Sequence, residues 1–491
     1  DILAKTVFLL SVFIFTYHHF AYPLLLRWLA RRAGPGAATR TRIAIGDGAA
    51  KELPRVTIIV PAYNEATMIA RKIQNLVELD YPRDRLDIVI ALDGCSDGTE
   101  DVARAALARA GDPGFVDLKV HKVNRGKLTI LNQEIAAARG EVVVLSDVSA
   151  RVQKDALLIG ARHFADDTVG VVCGTYVLEE AGSAGEAAYW TYQTRVKADE
   201  AAVGAPMGAH GAFYMFRRAC WRPLPAGTIN DDFVLPMRIV AQGYRALYDE
   251  AIVAFEMERT LARQEFTRRV RIGAGNLQQL IWLGGLLNPF RNAPRAGRIA
   301  LVFGSGKALR PVIPPVVIAG VLACLYLAFS GYGLFASIAI SGAIVTSVGL
   351  YAMLRKGRRL VKPVAWLGYL IEGHLASLIG AQRYLTGSSR LSWSHASGAD
   401  HGRQFVPLMT RVGKRVFDVV FSVIASDDPS AGNAFDLINN LMKFSAANTA
   451  GQVFPLRDDV TYELAQPVLA LDKANNAAAP VSQGDDVDYT L

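Results

Sequence analysis

Four carboxylates and one ammonium group stand where the chain could do chemistry. Asp93 lies in "ALDGCSDGT", Lys127 in "NRGKLTILN", Asp147 in "LSDVSA", and Asp231 and Asp232 side by side in "GTINDDFVLP". Asp93 and Asp147 each close an apolar run. Either alone reads as a turn residue, because Asp-Gly and Ser-Asp-Gly are common loop formers. Together, with Lys127 between them as a point charge able to pair with a diphosphate, they suit a phosphorylated nucleotide. A solvated lysine at a helix start is the alternative for Lys127. The acid pair precedes a helical stretch, and one carboxylate suffices to cap it. The other is then able to accept a proton from a hydroxyl, the work of a general base. Just before them, "GAHGAFYMFRR" carries glycines that let backbone approach a ligand closely. His210 within it suits a structural role as well as a functional one.

These residues need a frame that brings strand ends together. From Val56 onward, short apolar strands alternate with helical stretches: "VTIIVPAYNE", "LDIVIALDG" and "EVVVLSD" as strands, "ATMIARKIQNLVEL", "EDVARAALARA" and "LTILNQEIAAA" as helices. That alternation predicts a mostly parallel sheet covered by helices. Ligands then sit beyond the carboxyl ends of strands, where Asp93 and Asp147 fall. This domain is expected to span residues 55–263.

The flanks read differently. Hydrophobic residues make up 51% of the 491-residue chain and mean hydropathy is +0.22, high for a purely soluble enzyme. Thr6 to Leu26 is long enough to cross a bilayer core of ~30 Å, and Arg27, Arg31, Arg32, Arg40 and Arg42 after it place the following chain on the cytoplasmic side. A cleaved signal peptide is the competing reading, but the basic residues lie on the wrong side of the run. The organisation expected is a membrane helix over 1–32, a linker over 33–54, interfacial amphipathic helices over 264–310, transmembrane or interfacial helices over 311–386, and a partly disordered C-terminal region over 387–491. Pro311–Ser330 and Gly333–Leu354 are the crossing candidates. Val364–Ala381 carries Glu372 and His374 and suits either a crossing or an interfacial position. "GKRVFDVVFSVI" (Gly413–Ile424) reads as an amphipathic helix. The net charge of +8 fits a positive-inside membrane protein. No nucleic-acid module accompanies it, so nucleic acid is not an expected partner. Cys95, Cys173, Cys220 and Cys324 lack CxxC spacing and read as free thiols.

The order "VPAYNE", "ALDGCSDGT", "NRGKLTILN", "LSDVSA", "GAHGAFYMFRR", "TINDDF" and "RRVRI" resembles the membrane-bound family 2 glycosyltransferases, which include the synthases of hyaluronan, cellulose and chitin oligosaccharides. The likeness runs from about Val56 to Ile272, and "GSGKALRP" (Gly304–Pro311) resembles a motif before their next membrane helix. The resemblance implies an α/β fold: a Rossmann-like, mostly parallel nucleotide-sugar domain of the GT-A type embedded between transmembrane helices. It also implies an inverting transfer from a UDP-sugar, with Mg2+ or Mn2+, to a growing glycan or lipid-linked acceptor. The enzyme would lie in the inner (plasma) membrane, against membrane lipid, with its catalytic domain in the cytoplasm. Carried over by position, Ala62, Tyr63 and Glu65 of "VPAYNE" join Asp93 and Lys127 around the nucleotide sugar. Asp147 takes the metal and diphosphate position, and His210 and Gly211 the acceptor side. Asp232 matches the base, and Asp231 stands where the family has Glu. Arg268 and Arg271 match the polar places of the Gln-x-x-Arg-Trp motif, which in that family lies by the donor diphosphate and the acceptor, and so join the nucleotide-sugar side.

Two departures stand out. Arg268 replaces the Gln and Ile272 the Trp of that motif, which weakens the case for a long processive polymer. Ser149 occupies the second acidic place of the usual Asp-x-Asp. Magnesium typically uses one or two protein carboxylates plus substrate phosphates, so the loss lowers metal affinity without forbidding metal. The alternatives to a polymerising enzyme are a single-addition transferase acting on a polyprenyl-linked sugar, and a membrane protein that only binds nucleotide sugars. The acid pair argues against the binder, which needs no base.

Overall fold

In a computed structural model of the chain, the described residues are 1–33, 53–179, 184–258, 262–291, 295–354 and 362–387, with four short strands beyond residue 400. The expected linker lies almost wholly outside them. Two compact units divide the chain after His395.

The first unit is built on one eight-stranded sheet. Its first half is β1 (Val56–Ala62), β2 (Leu86–Asp93), β3 (Val116–His121) and β4 (Val142–Leu145), interleaved with α3 (Ile69–Val77), α4 (Thr99–Arg109) and α5 (Lys127–Ala137). β1 is buried along its whole length, which is why it reads as an unbroken apolar run, as strands covered on both faces do. The second half adds β5 (Ala150–Val152), α6 (Ala156–Arg162), β6 (Val169–Leu178), α7 (Ala184–Val203), β7 (Tyr214–Arg217), α8 (Asp231–Ala241) and β8 (Arg245–Glu256). The strand order is β3-β2-β1-β4-β7-β6-β8-β5. β1 pairs in parallel with both β2 and β4, β2 with β3, and β6 with β8; β7 runs antiparallel to β4 and β6, and β5 to β8. β2 and β3 are added on one side of β1 and β4 on the other, so the strand order switches at β1 and a ligand crevice is expected between the ends of β1 and β4. At the β5 edge, the Asn75 side chain donates to Val152 O at 2.7 Å and accepts from Val152 N at 2.8 Å, covering backbone that would otherwise invite another strand.

The flanking helices are α1 (Ile2–Thr16) and α2 (Tyr22–Ala33), joined by a π-helical turn, then α9 (Ala262–Trp282), α10 (Ala296–Phe303), α11 (Leu309–Phe329), α12 (Gly333–Leu354) and α13 (Lys362–Leu385). Three helical segments, Ile2–Ala33, Ala296–Phe329 and Gly333–Met353, are long and apolar enough to cross a membrane. They turn Leu9, Phe13, Leu322 and Ile340 outward. Small residues let them cross closely: a Cβ on Gly320 of α11 would stand 2.6 Å from the Ser11 Cβ of α1.

α13 is not among the three. Its Glu372 is buried and takes an ion pair from Arg269 of α9 at 3.3 Å, while the Arg269 guanidinium lies 3.7 Å from the Tyr369 ring centroid. The charge that makes this run look weak as a membrane span is therefore matched by α9. The two helices touch through glycines: Gly273 faces the Ser377 backbone, and Gly380 lies directly against Val270 O and Ala274 N.

In the second unit, Val406–Val412 pairs antiparallel with Arg415–Phe421, and Ser445–Ala447 with Val453–Pro455. This corrects the amphipathic helix expected over Gly413–Ile424. Val416, Phe417, Val419, Val420 and Phe421 are β-branched or aromatic, types that fit a pleated surface better than a helix. The expected disorder of the chain end falls outside the described residues.

Replacing Gly380 by Leu drives a side chain into the α9 backbone. Overpacking of this kind costs roughly 1–3 kcal/mol, so G380L is expected to melt at a lower temperature than the parent in detergent. An unchanged midpoint would refute the close docking of α13 on α9.

Candidate active site

Two loops at the end of β1 and β2 interlock first. Asn64 Oδ1 accepts from Ser96 N at 2.8 Å, Glu65 N donates to Thr99 Oγ1 at 2.8 Å, and Ala66 N donates to Asp97 Oδ2 at 3.1 Å. Ala62 is buried at the end of β1 and Tyr63 half-buried just after it. Asp93 ends β2, fully buried, and its two oxygens accept the backbone N–H of Arg125 at 2.9 Å and of Gly126 at 2.8 Å. Asp93 thereby holds the turn that starts α5, and so aims the first residue of that helix, Lys127.

Lys127 reaches across the crevice. Its Nζ donates to Asp147 Oδ1 at 2.9 Å and lies 3.8 Å from Asp231 Oδ2. Burial alone would lower the ammonium; Asp147, Asp231 and Asp232 outweigh it and hold Lys127 above the usual lysine range. Asp231 and Asp232 are the first two residues of α8, and the N-cap position is Asn230, with no side-chain cap bond. Neither acid is a cap; both are left for the crevice. Burial first, then the neighbouring Asp231, pushes Asp232 up to about 6, against the pull of Lys127, Arg271 and Lys197.

Gly211 sits between the two sets of carboxylates. A Cβ there would stand 2.9 Å from Asp147 Oδ2 and 3.8 Å from Asp232 Oδ2, so a side chain would fill the space between them. The turn is braced by Gly208, whose φ of +77 suits only glycine and whose position meets the Phe233 ring, and by Ala209 N donating to Asp232 O at 2.8 Å. Burial, with Lys197 and Arg268 nearby, lowers the His210 imidazole to about 3, so it is neutral. Its ring stacks on Tyr176 at 3.6 Å between centroids and meets Trp190 edge-on at 5.2 Å, while the Arg268 guanidinium lies 5.8 Å from the Trp190 centroid.

Several residues of the site carry no motif. Lys72 is fully buried in α3 and donates to Ser146 Oγ at 2.7 Å and Ala150 O at 2.6 Å; Ser146 Oγ passes the chain on to Ala212 O at 2.6 Å. Burial pulls its ammonium down to about 7, with Asp147 and Glu256 opposing. This tie joins α3, the residue before Asp147 and the residue after Gly211. A signal for it exists: Ile69, Lys72, Ile73 and Leu76 have the i, i+3, i+4, i+7 spacing of a buried stripe, with a lysine in it. Glu256 and Glu258 lie close to Glu65 and Asp147. The Ser149 hydroxyl hydrogen-bonds to Glu256, and burial with Asp147 and Glu258 nearby raises that carboxyl to about 7. Burial, Glu258 and Asp147 raise Glu65 to about 8. On α9, Gln278 accepts from Ile229 N at 2.9 Å and donates to Gly227 O at 2.8 Å, and Gly275 lies against the Asn230 amide. That helix therefore holds the loop leading into Asp231.

Among the described residues no group of three His, Cys, Asp or Glu side chains is arranged to hold a metal ion. Asp147, where the metal is expected, is ion-paired with Lys127 at 2.9 Å, and a divalent ion there would need substrate phosphates to complete its coordination.

Asp147 just after β4, paired with Lys127 at the start of α5 and faced by the acid pair at the start of α8, is set in a mostly parallel, helix-covered sheet of the GT-A type. The chain superposes with a TM-score of 0.59 on the mannosyltransferase PcManGT of Pyrobaculum calidifontis in complex with GDP-Man and Mn2+, at 24% identity, covering 78% of this chain and all of that one. At that identity the likeness concerns the fold. Residues 57–222 match the family Glycosyl transferase family 2, so the chain carries a family 2 glycosyltransferase domain. Curated relatives include a probable glycosyltransferase, YdaM, of Bacillus subtilis, 26% identical over 46% of this chain and 56% of its own length. The poly-beta-1,6-N-acetyl-D-glucosamine synthase of Staphylococcus aureus is 26% identical over 47% of this chain and 56% of its own length. A beta-monoglucosyldiacylglycerol synthase of Trichormus variabilis is 35% identical over 24% of this chain and 25% of its own length. The matched stretch thus spans about half the length of the first two and a quarter of the third.

If Asp232 must be ionised to take a proton, kcat/KM for sugar transfer falls as pH drops through about 6. Asp231→Asn removes a like charge, so the acid limb is expected to move to lower pH. A pH–rate profile in which the limb stays in place would assign it to another group.

Proposed function

We propose that the chain transfers a sugar from a UDP-sugar, with inversion, to a hydroxyl of a glycan or glycolipid acceptor, at the cytoplasmic face of the inner membrane. The observation that carries this reading is the half-buried Asp232 beside the open position at Gly211, with Asp147 and Lys127 on the other side of the same gap. Asp232 takes the proton of the acceptor hydroxyl as its oxygen forms a bond to the anomeric carbon. The bond from that carbon to the diphosphate breaks on the opposite face, and its electron pair leaves with the nucleotide. Lys127 and Arg271 present fixed positive charge to the departing diphosphate, in a site where burial strengthens the effect. A divalent ion held by Asp147 and the donor phosphates would add Lewis-acid stabilisation of the same charge. The Mn2+ and GDP-Man of the archaeal mannosyltransferase support a nucleotide-sugar donor and a divalent ion, and the two synthases of known product support glycan and glycolipid acceptors.

Ile272, in place of an aromatic residue, favours a single addition over a long processive polymer, and product length separates the two.

The test is nucleotide release by the purified full chain over a panel of UDP-sugars, with GDP-mannose alongside, in Mg2+, Mn2+ or chelator. Release with one UDP-sugar, lost in chelator and reduced at least about a hundredfold by Asp232→Asn, is the expected result. Asp232→Asn should still bind UDP. Full release by that variant would overturn the assignment of the base, and release from GDP-mannose alone would overturn the donor.

A further inference from the structure

The site contains more aromatic surface than its motifs account for. Tyr176 comes from β6, Trp190 from α7 and His210 from the turn before β7. Tyr176 is buried and meets Trp190 at 4.6 Å between centroids, so it backs both of the other rings; Trp190 and His210 are half-buried. The Tyr176 hydroxyl donates to Glu256 Oε2 at 3.3 Å, fixing its ring from behind. The Arg268 guanidinium stands 5.8 Å from the Trp190 ring centroid, and His210 leads directly into Gly211 between Asp147 and Asp232.

The position of this stack in the sheet separates it from the nucleotide side. Asp93 and Lys127 belong to the β3-β2-β1 half, while Tyr176 stands on β6, beyond β4 and β7. A donor whose diphosphate faces Lys127 and Asp147 has its nucleotide on the first side. The rings lie on the second. A pyranose ring has an apolar face of C–H groups and a rim of hydroxyls. Aromatic faces take the first and Arg268 is able to bind the second, a combination of apolar wall and a few placed polar groups that suits a small polar ligand.

We propose that Trp190 and His210, backed by Tyr176 and edged by Arg268, form the platform on which the acceptor's terminal sugar stacks, so that Trp190 is a positioning residue for the acceptor. The inference rests on the transferase reading above. It also places an aromatic surface beside Arg268 although residue 272, next along that helix face, is isoleucine.

The experiment compares Trp190→Ala and Trp190→Phe with the parent full chain, in detergent or nanodiscs. The acceptors are N-acetylglucosamine oligosaccharides, gluco-oligosaccharides and glucosyl-diacylglycerol in mixed micelles, each with the donor found by nucleotide release. Losing an aromatic contact of this kind is worth about tenfold. Trp190→Ala is therefore expected to raise acceptor KM by about tenfold, with UDP affinity, acceptor-independent nucleotide release and melting temperature unchanged. Trp190→Phe should restore most of the acceptor KM. Three results would each overturn the platform: an unchanged acceptor KM in Trp190→Ala, a parallel loss of UDP affinity, or a wild type that uses none of the three sugar acceptors. Asp232→Asn run in parallel keeps the two ideas apart. If it still transfers, the transferase assignment of the base fails; if it does not and Trp190→Ala behaves as the parent, only the platform fails.

Discussion

The site depends on one ammonium group set among carboxylates. Lys127 touches Asp147 at 2.9 Å and approaches Asp231 to 3.8 Å, with Asp232 adjoining. At about 4 Å and an effective dielectric near 20, a pair of opposite charges attracts by about 4 kcal/mol, and like charges repel by as much. Without Lys127 the carboxylates would repel one another and take up protons, and a protonated Asp232 is no base. The lysine keeps its place because Asp93 accepts the two backbone amides just before it. A buried carboxylate on β2 thus sets the position of the charge that opposes the upward shift of Asp232 on α8, two elements far apart in the chain.

The membrane-flanking helices are part of this arrangement. Through Gln278 and Gly275, α9 holds the loop that presents Asp231 and Asp232; through Arg269 and Gly273, it is joined to α13. Its basic residues therefore turn towards the protein: Arg268 to Trp190, Arg269 to Glu372, and Arg271 towards Asp232. Lys307, from the π-helical turn before α11, lies 5.6 Å from the ring centroid of Phe233, the residue after Asp232. The loop that presents Asp232 is thus positioned by α9, which leads into Ala296–Phe329, a segment long and apolar enough to cross a membrane.

The parallel half of the fold was legible because burial on both faces writes continuous apolar runs, and the acids that close those runs mark the crevice. The acid pair stood out because a cap needs one acid and two were present, and in the structure neither of them is the cap. What stayed hidden came from contacts between distant segments. Lys72 looks like any helix lysine unless its place in the apolar stripe is noticed. Gln278 and Glu372 serve as partners, and a partner is invisible until the fold supplies the other half. Tyr176, Trp190 and His210 stand far apart in the chain and meet only because β6, α7 and the turn before β7 converge. The hairpin at Val406–Phe421 was missed for another reason: a short apolar run with a basic start satisfies helix and strand patterns alike, and its β-branched content decided it.

Ser149 shows how a departure from a motif is taken up by a distant segment. Its hydroxyl is spent on Glu256, a carboxylate delivered by β8, which lies near Asp147, Glu258 and Glu65. An aspartate at 149 would face that glutamate as a like charge in a buried place, and one of the two would have to protonate. Serine instead donates a hydrogen bond and steadies the glutamate. The carboxyl groups around Asp147 come from different parts of the chain, and spacing along one strand cannot register Glu256. What constrains this site is the balance of charge in the crevice, four or more carboxyl groups against Lys127, Lys72 and the arginines of α9.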